Sequence, residues 1–314
     1  MSVVNVIIPG APKAGTMSIT SILNQHADIY VPARKEPRFF IEDKIIELEN
    51  NAPLKKYLMR SSVLEWSKYK SIYNNDSRFK IDASVQYLYY YYSAVPKIKK
   101  YLGDPFIFII LRDPVQRAIS NYYFNKGAEI KLSRNFMDAI KQELNGDRDK
   151  LFGFLHNYKV GLYYEQVKYY LENFSNVKVL FYEDFQSNNF GFVNSILENL
   201  GLSKLEAIQE LPKLNTSSDL TFMGKILFSK YSPYRLTDKF ILPLFLDEGI
   251  LHKRKLKLKA KYKKKKTQNN KLTEEEIKFM YDLYREDVMK LMQLLNLKSL
   301  PWPEFKYNSF SIIS

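Results

Sequence analysis

The chain has 314 residues, 46% of them hydrophobic, with no cysteine, three histidines and a formal net charge of +14. A core of ordinary size is within its reach, whereas disulfides, thiol catalysis and cysteine-based zinc sites are excluded, and three histidines are too few to suggest a multi-histidine metal cage. No run approaches the roughly 18 to 20 apolar residues of a membrane span, and the first residues enter a strand pattern without a basic region and cleavage site, so a cytoplasmic protein is expected.

The first element lies in VIIPGAPKAGTMSITSIL, residues 6–23. The β-branched run at 3–8 predicts a strand buried on both faces, and helical spacing over 15–25 predicts a helix after it. A glycine-containing turn between them makes the helix start a place where backbone N–H groups and the helix dipole favour a phosphate. Gly10 and Gly15 have the spacing of the triphosphate loop G-x-x-x-x-G-K-[ST], but Thr16 stands at its lysine position and Met17 at its Mg²⁺-ligand position. Lys13 lies within the loop instead, which suits an anionic ligand whose reacting group needs one positive charge and no metal.

His26, near the end of that helix, reads as a capping or packing histidine. In RKEPRFF, residues 34–40, Glu36 precedes a proline in an extended loop with basic and aromatic neighbours. It is either a surface glutamate paired with Lys35 or Arg38, or a functional carboxylate. RFKID at 78–82 is a further candidate strand, and the tyrosines of YLYYYY at 87–92 suit core packing or stacking on sugar faces. A helix is expected over 94–102.

FIFIIL at 106–111 predicts another strand buried on both faces. In IILRDPVQRAISNYYF, residues 109–124, the strand-to-helix arrangement recurs: Arg112 ends the strand, Pro114 starts a helix over 114–125, and Ser120 follows about two turns on. A guanidinium and a hydroxyl so placed suit a second phosphate; the alternatives are a salt bridge from Arg112 to Asp113 and an ordinary surface role for Ser120. Helices over 158–173 and 190–200, with a strand at 177–182, continue the alternation. The pattern is that of a three-layer α/β protein with a central parallel sheet flanked by helices.

Residues 203–272 carry no clear period, and ten basic residues crowd into KRKLKLKAKYKKKK at 253–266. That segment is a solvated loop or a contact for polyanions, an anionic membrane surface included. TEEE at 273–276 then caps a closing helix over 273–295, with Ile277, Met280, Tyr281, Tyr284, Val288, Leu291 and Leu295 along one stripe. A single domain, 1–314, with a Lys-rich excursion around 213–270 is the simplest expectation.

Taken in order, these motifs resemble the sulfotransferases that use 3′-phosphoadenosine 5′-phosphosulfate (PAPS), especially the branch of heparan sulfate and bacterial carbohydrate sulfotransferases. PKAGTMSI resembles that family's 5′-phosphosulfate loop and LRDPVQRAISNY its 3′-phosphate motif. KEPRFF is similar to the element that carries its acidic base, and KIDASVQYL at 80–88 to its substrate-cleft segment. Residues 161–185 and 280–295 resemble its following helix and strand and its closing helix. The resemblance implies a P-loop-like fold and transfer of the sulfuryl group of PAPS to a hydroxyl, or less readily an amine, of a carbohydrate or glycolipid, leaving the bisphosphate PAP, with no metal required.

Residue by residue, the resemblance implies Lys13, Ala14, Gly15, Thr16, Met17 and Ser18 around the 5′-phosphosulfate, Arg112 and Ser120 on the 3′-phosphate, Lys13 and Glu36 as the catalytic pair with Glu36 the base, and Lys35, Arg38 and Lys80 near the acceptor. Arg38 stands where relatives often have histidine, and Ile41 lacks a carboxylate found in some heparan-modifying members, so the acceptor's identity is not carried over. The alternatives are a P-loop phosphotransferase, which the missing Lys-Ser/Thr pair disfavours, and a non-enzymatic polyanion binder using 253–266. No specific nucleic-acid partner is expected.

Overall fold

The computed structural model describes residues 3–33, 36–49, 54–127, 133–208 and 272–305. In chain order the elements are β1 (Val6–Ile7), α1 (Thr16–Leu23), β2 (Ile29–Tyr30), a 3-10 turn (Phe39–Ile41), α2 (Glu42–Ile46), α3 (Lys55–Ser61), α4 (Trp66–Ile72) and β3 (Phe79–Asp82). They continue with α5 (Tyr91–Leu102), β4 (Phe106–Leu111), α6 (Pro114–Gly127), α7 (Phe136–Leu144), α8 (Tyr164–Asn173), β5 (Val177–Phe181), α9 (Tyr182–Ser187), α10 (Asn189–Asn199) and α11 (Glu274–Leu294).

The strands form one parallel sheet in the order β2-β3-β1-β4-β5, with Val6 opposite both Ile81 and Phe106. Chain excursions leave β1 toward β2 and leave β4 toward β5. Because such crossovers are right-handed, the two directions put helices on opposite faces. Accordingly α1 packs with α10, while α8 packs with α5 and α11. This is the three-layer α/β arrangement expected. Val6, Ile7, Ile8 and residues 107–111 are buried, as strands covered on both sides must be. β5 departs from that expectation: it is half-exposed because it lies at the sheet edge.

Other differences follow from how short the elements are. β2 has two residues and no period to read, and α2, α3, α4 and α9 are helices of five to seven residues. The helix expected over 158–173 begins only at Tyr164, after a 3-10 turn at Lys159–Gly161. The tyrosine run divides by depth: Tyr87 is core, whereas Tyr92 is exposed and lies against Tyr91 and Tyr169.

The chain divides into two compact units, one of Met1–Lys126, Ile130–Leu214 and Glu274–Ser314, the other of Gly127–Glu129 and Asn215–Thr273. The Lys-rich excursion and the basic segment at 253–266 lie outside the described residues. Among the described residues no helix is long and apolar enough to cross a membrane.

Candidate functional site

Because excursions from β1 and β4 run in opposite directions, a crevice opens at the carboxyl ends of these two neighbouring strands, the usual ligand site of an open α/β sheet. The loop after β1 and Arg112 after β4 both lie there. Ala11 N donates to Ile110 O (2.6 Å) and Ile110 N to Gly10 O (2.9 Å), so the loop's first residues are stitched to β4. Ser18 N and Ile19 N then turn back to Gly15 O and start α1.

Two residues of this loop take left-handed backbone. Gly15 has φ +71° and Lys13 φ +72°; for a lysine this costs about 1 kcal/mol or more. Gly15 is required twice over, since a Cβ there would lie 2.4 Å from the ring of Tyr182. That tyrosine, the first residue of α9, also stands over the Arg112 guanidinium, 5.0 Å from ring centroid to carbon. Tyr182 therefore walls the loop and the arginine together.

Arg112 donates from Nη1 to the backbone carbonyl of Lys13 (2.9 Å), and its own carbonyl accepts the hydroxyl of buried Tyr163 (2.9 Å). Asp113 does not serve as its counter-ion: its carboxylate caps α6 through Val115 N and Gln116 N (both 2.9 Å) and takes the Tyr281 hydroxyl (3.1 Å). Ser120 is half-buried on α6, nearly two turns beyond the cap. Arg117, on the same helix, is fully buried, and its Nη2 donates to Asn157 O.

The Lys13 ammonium lies 3.9 Å from the centroid of the Phe124 ring. Burial lowers its pKa to about 8; Arg112 and Arg117 add to the fall and Glu36 opposes it. Three cations thus share one partly desolvated place. Of the remaining loop residues, Ala14 is buried under the turn, Thr16 is buried with its carbonyl accepting Thr20 Oγ1 (2.8 Å), and Met17 and Ser18 are half-buried.

Across the crevice, Glu36 and Arg38 flank Pro37 with φ of +54° and +56°. Glu36 Oε2 accepts from Arg38 Nη2 at 2.6 Å, and Arg38 Nη1 reaches Ser61 Oγ (3.3 Å). Arg38 is buried and faces Glu36, and Lys80 is half-buried inside β3 opposite Tyr30. Lys35 lies outside the described residues. Phe39 and Phe40 anchor the segment in an aromatic cluster with Trp66, Tyr69 and Tyr101. A pocket with about 350 Å³ of open volume is lined by Thr16, Met17, Thr20, Val31, Pro32, Glu36, Pro37, Tyr73, Ile81 and Ala83. Glu36 and the start of α1 therefore border one space.

Beneath it, Asp82 is fully buried and accepts hydrogen bonds from Ser84, Tyr69 and Tyr87. Burial pushes its carboxyl up to about 6, although these hydrogen bonds oppose the shift. Sequence reasoning did not single out Asp82, Ser84, Tyr163, Tyr182, Phe124 or Arg117; Arg117 and Phe124 lie in the motif after β4, Asp82 and Ser84 in KIDASVQYL at the end of β3, and Tyr163 and Tyr182 in the stretch 161–185, and only packing brings them together. His26 lies apart, its ring nitrogens engaged with Asp28 N (3.1 Å) and Ser203 Oγ (3.2 Å).

A family model described as "Sulfotransferase domain" matches residues 4–293. Among solved structures, a sulfotransferase from Alicyclobacillus acidocaldarius superposes with a TM-score of 0.68 at 22% identity, covering 94% of this chain and 97% of that one. Mouse sulfotransferase SULT7A1 complexed with PAP gives a TM-score of 0.43 at 16% identity, covering 66% and 61%. Retinol dehydratase in complex with androsterone and inactive cofactor PAP gives 0.46 at 16% identity, covering 92% and 81%. No curated protein sequence matches.

Proposed function

The chain belongs to the sulfotransferase family, and from that membership we propose that it moves the sulfuryl group of PAPS to a hydroxyl of a carbohydrate or glycolipid, with Glu36 as general base. The observation that carries this reading is the meeting of opposite charges at the crevice: Lys13 senses both Arg112 and Glu36, and Glu36 shares a pocket with the first turn of α1.

The donor supplies an activated sulfuryl group on a phosphate that can leave. A loop that holds Lys13 in a partly desolvated position, with the N–H groups of a helix start behind it, suits that phosphate. Arg112, with Ser120 on the helix beyond, suits the 3′-phosphate. Lys13 meets negative charge as it develops on the leaving phosphate oxygen. Glu36 accepts the proton of the attacking hydroxyl, and Arg38 holds the carboxylate in place meanwhile. The apolar walls Val31, Pro32, Pro37, Ile81 and Ala83 favour an acceptor with an apolar body beside its hydroxyl, as in a glycolipid.

Calorimetric titration tests the donor assignment. PAP is expected to bind without added metal at least tenfold more tightly than ADP with Mg²⁺; the reverse order overturns the reading in favour of a phosphotransferase. Binding should also depend on pH. In the free protein Lys13 loses its proton as pH rises through about 8, whereas a bound anion favours the charged form, so PAP affinity should fall from pH 7 to pH 9 with proton uptake near pH 8.5. Titrations in two buffers of different ionisation enthalpy read that uptake; none, with equal affinity at both pH values, removes Lys13 from the anion site.

A further inference from the structure

The turn that carries Glu36 is held from an unexpected side. Its backbone is left-handed at both Glu36 and Arg38, so it needs fixed partners to keep that shape. One is Val63 N, which donates to Pro37 O (2.8 Å). The other is Ser84, whose Oγ accepts Arg38 N at 3.1 Å.

Ser84 has one hydroxyl proton, and its Oγ gives it to Asp82 Oδ1 at 2.7 Å. The same carboxylate oxygen takes Ser84 N (3.0 Å). With the proton spent on Asp82, the hydroxyl presents only lone pairs to Arg38 N, so its direction is set. The carboxylate cannot swing away, because Oδ2 is held by Tyr69 (2.8 Å) and Tyr87 (3.0 Å). Asp82 is also tied to the opposite side of the crevice: it pairs with Ile7 across β1, and its carbonyl accepts Ile8 N at 2.8 Å, just before the donor loop. One residue thus connects the strand feeding Lys13 with the hydroxyl that holds Arg38.

We propose that Ser84, oriented by Asp82, is a positioning residue that sets the Glu36–Pro37–Arg38 turn at a fixed distance from the donor loop; this rests on Glu36 being the base. It touches neither donor nor acceptor. Its effect therefore falls on turnover and not on donor binding.

The test compares Ser84→Ala, Asp82→Asn and Glu36→Gln in the full chain, following PAP affinity by calorimetry, PAP release from PAPS with octyl glucoside as acceptor probe, and hydrogen exchange over residues 36–41. Ser84→Ala is expected to leave PAP affinity within twofold, lower kcat at least tenfold and speed exchange over 36–41. Asp82→Asn should lower kcat at least threefold with the same selectivity, and it carries the test if Ser84→Ala fails to fold. Unchanged exchange in Ser84→Ala overturns the proposal whatever the turnover. Full turnover in Ser84→Ala beside an inactive Glu36→Gln overturns the positioning role and leaves the base assignment standing. An active Glu36→Gln overturns the base assignment and the proposal with it.

Discussion

Glu36→Gln is expected to lower turnover by about 10²- to 10⁴-fold, the usual contribution of a positioned general base, while PAP affinity stays within twofold of the parent. Glutamine has the same shape and retains a carbonyl oxygen for Arg38 Nη2, so the contact that now holds the carboxylate at 2.6 Å survives in weaker, uncharged form. Pro37 still fixes the backbone after it, and Val63 and Ser84 still hold the turn. What disappears is the ability to take a proton from the acceptor hydroxyl. Single-turnover measurement with saturating PAPS separates this loss from any change in donor binding. Turnover above a tenth of the parent's would show that another group, or water, accepts the proton.

Lys13→Ala should cost turnover by about 10²- to 10³-fold, as removal of one charge-stabilising donor usually does, and should weaken PAP binding as well. The substitution is unusually clean. Alanine at φ +72° is strained as lysine already is, so the backbone penalty changes little. The carbonyl that receives Arg112 Nη1 belongs to the backbone and remains. Removal of the ammonium therefore leaves Arg112, the proposed second anion contact, in place and empties only the space beside Phe124. A kcat within threefold of the parent at saturating PAPS would mean that Arg112 or Arg117 meets the developing charge instead.

The two variants separate the two ends of one crevice. In the proposed reading Lys13 belongs to the donor side and should move both binding and kcat, whereas Glu36 belongs to the acceptor side and should move kcat alone. The arrangement also explains why cations crowd together. Burial depresses the pKa of Lys13 and Arg112 and Arg117 add to the fall, a repulsion that the proposed multiply charged donor would relieve on binding.

Much of this was readable along the chain. The parallel strands at 106–111 and 177–181, the second one residue shorter than expected, the helix starts at Thr16 and Pro114, and the closing helix from Glu274 follow from apolar runs, a glycine turn, a proline at a helix's first position and a threonine cap. Each of these signals acts over a few neighbouring residues, which is why a single sequence carries it. The loop around Lys13 and the arginine at the end of β4 could be singled out for the same reason. The short helices between Glu42 and Ile72 could not, because five to seven residues hold too little of a period to stand out.

What the chain by itself determined is thus the set of local pieces and the charges they carry: two strand-to-helix turns, one with a lysine and one with an arginine, and a glutamate before a proline. Tertiary structure alone decided that these pieces meet. Arg112 reaches the carbonyl of Lys13 across 99 positions, Ser84 reaches Arg38 N across 46, and the ring of Tyr182 closes on Gly15 from the far edge of the sheet. Those meetings depend on the strand order β2-β3-β1-β4-β5, which arises from how whole faces bury one another, and no window of neighbouring residues encodes that.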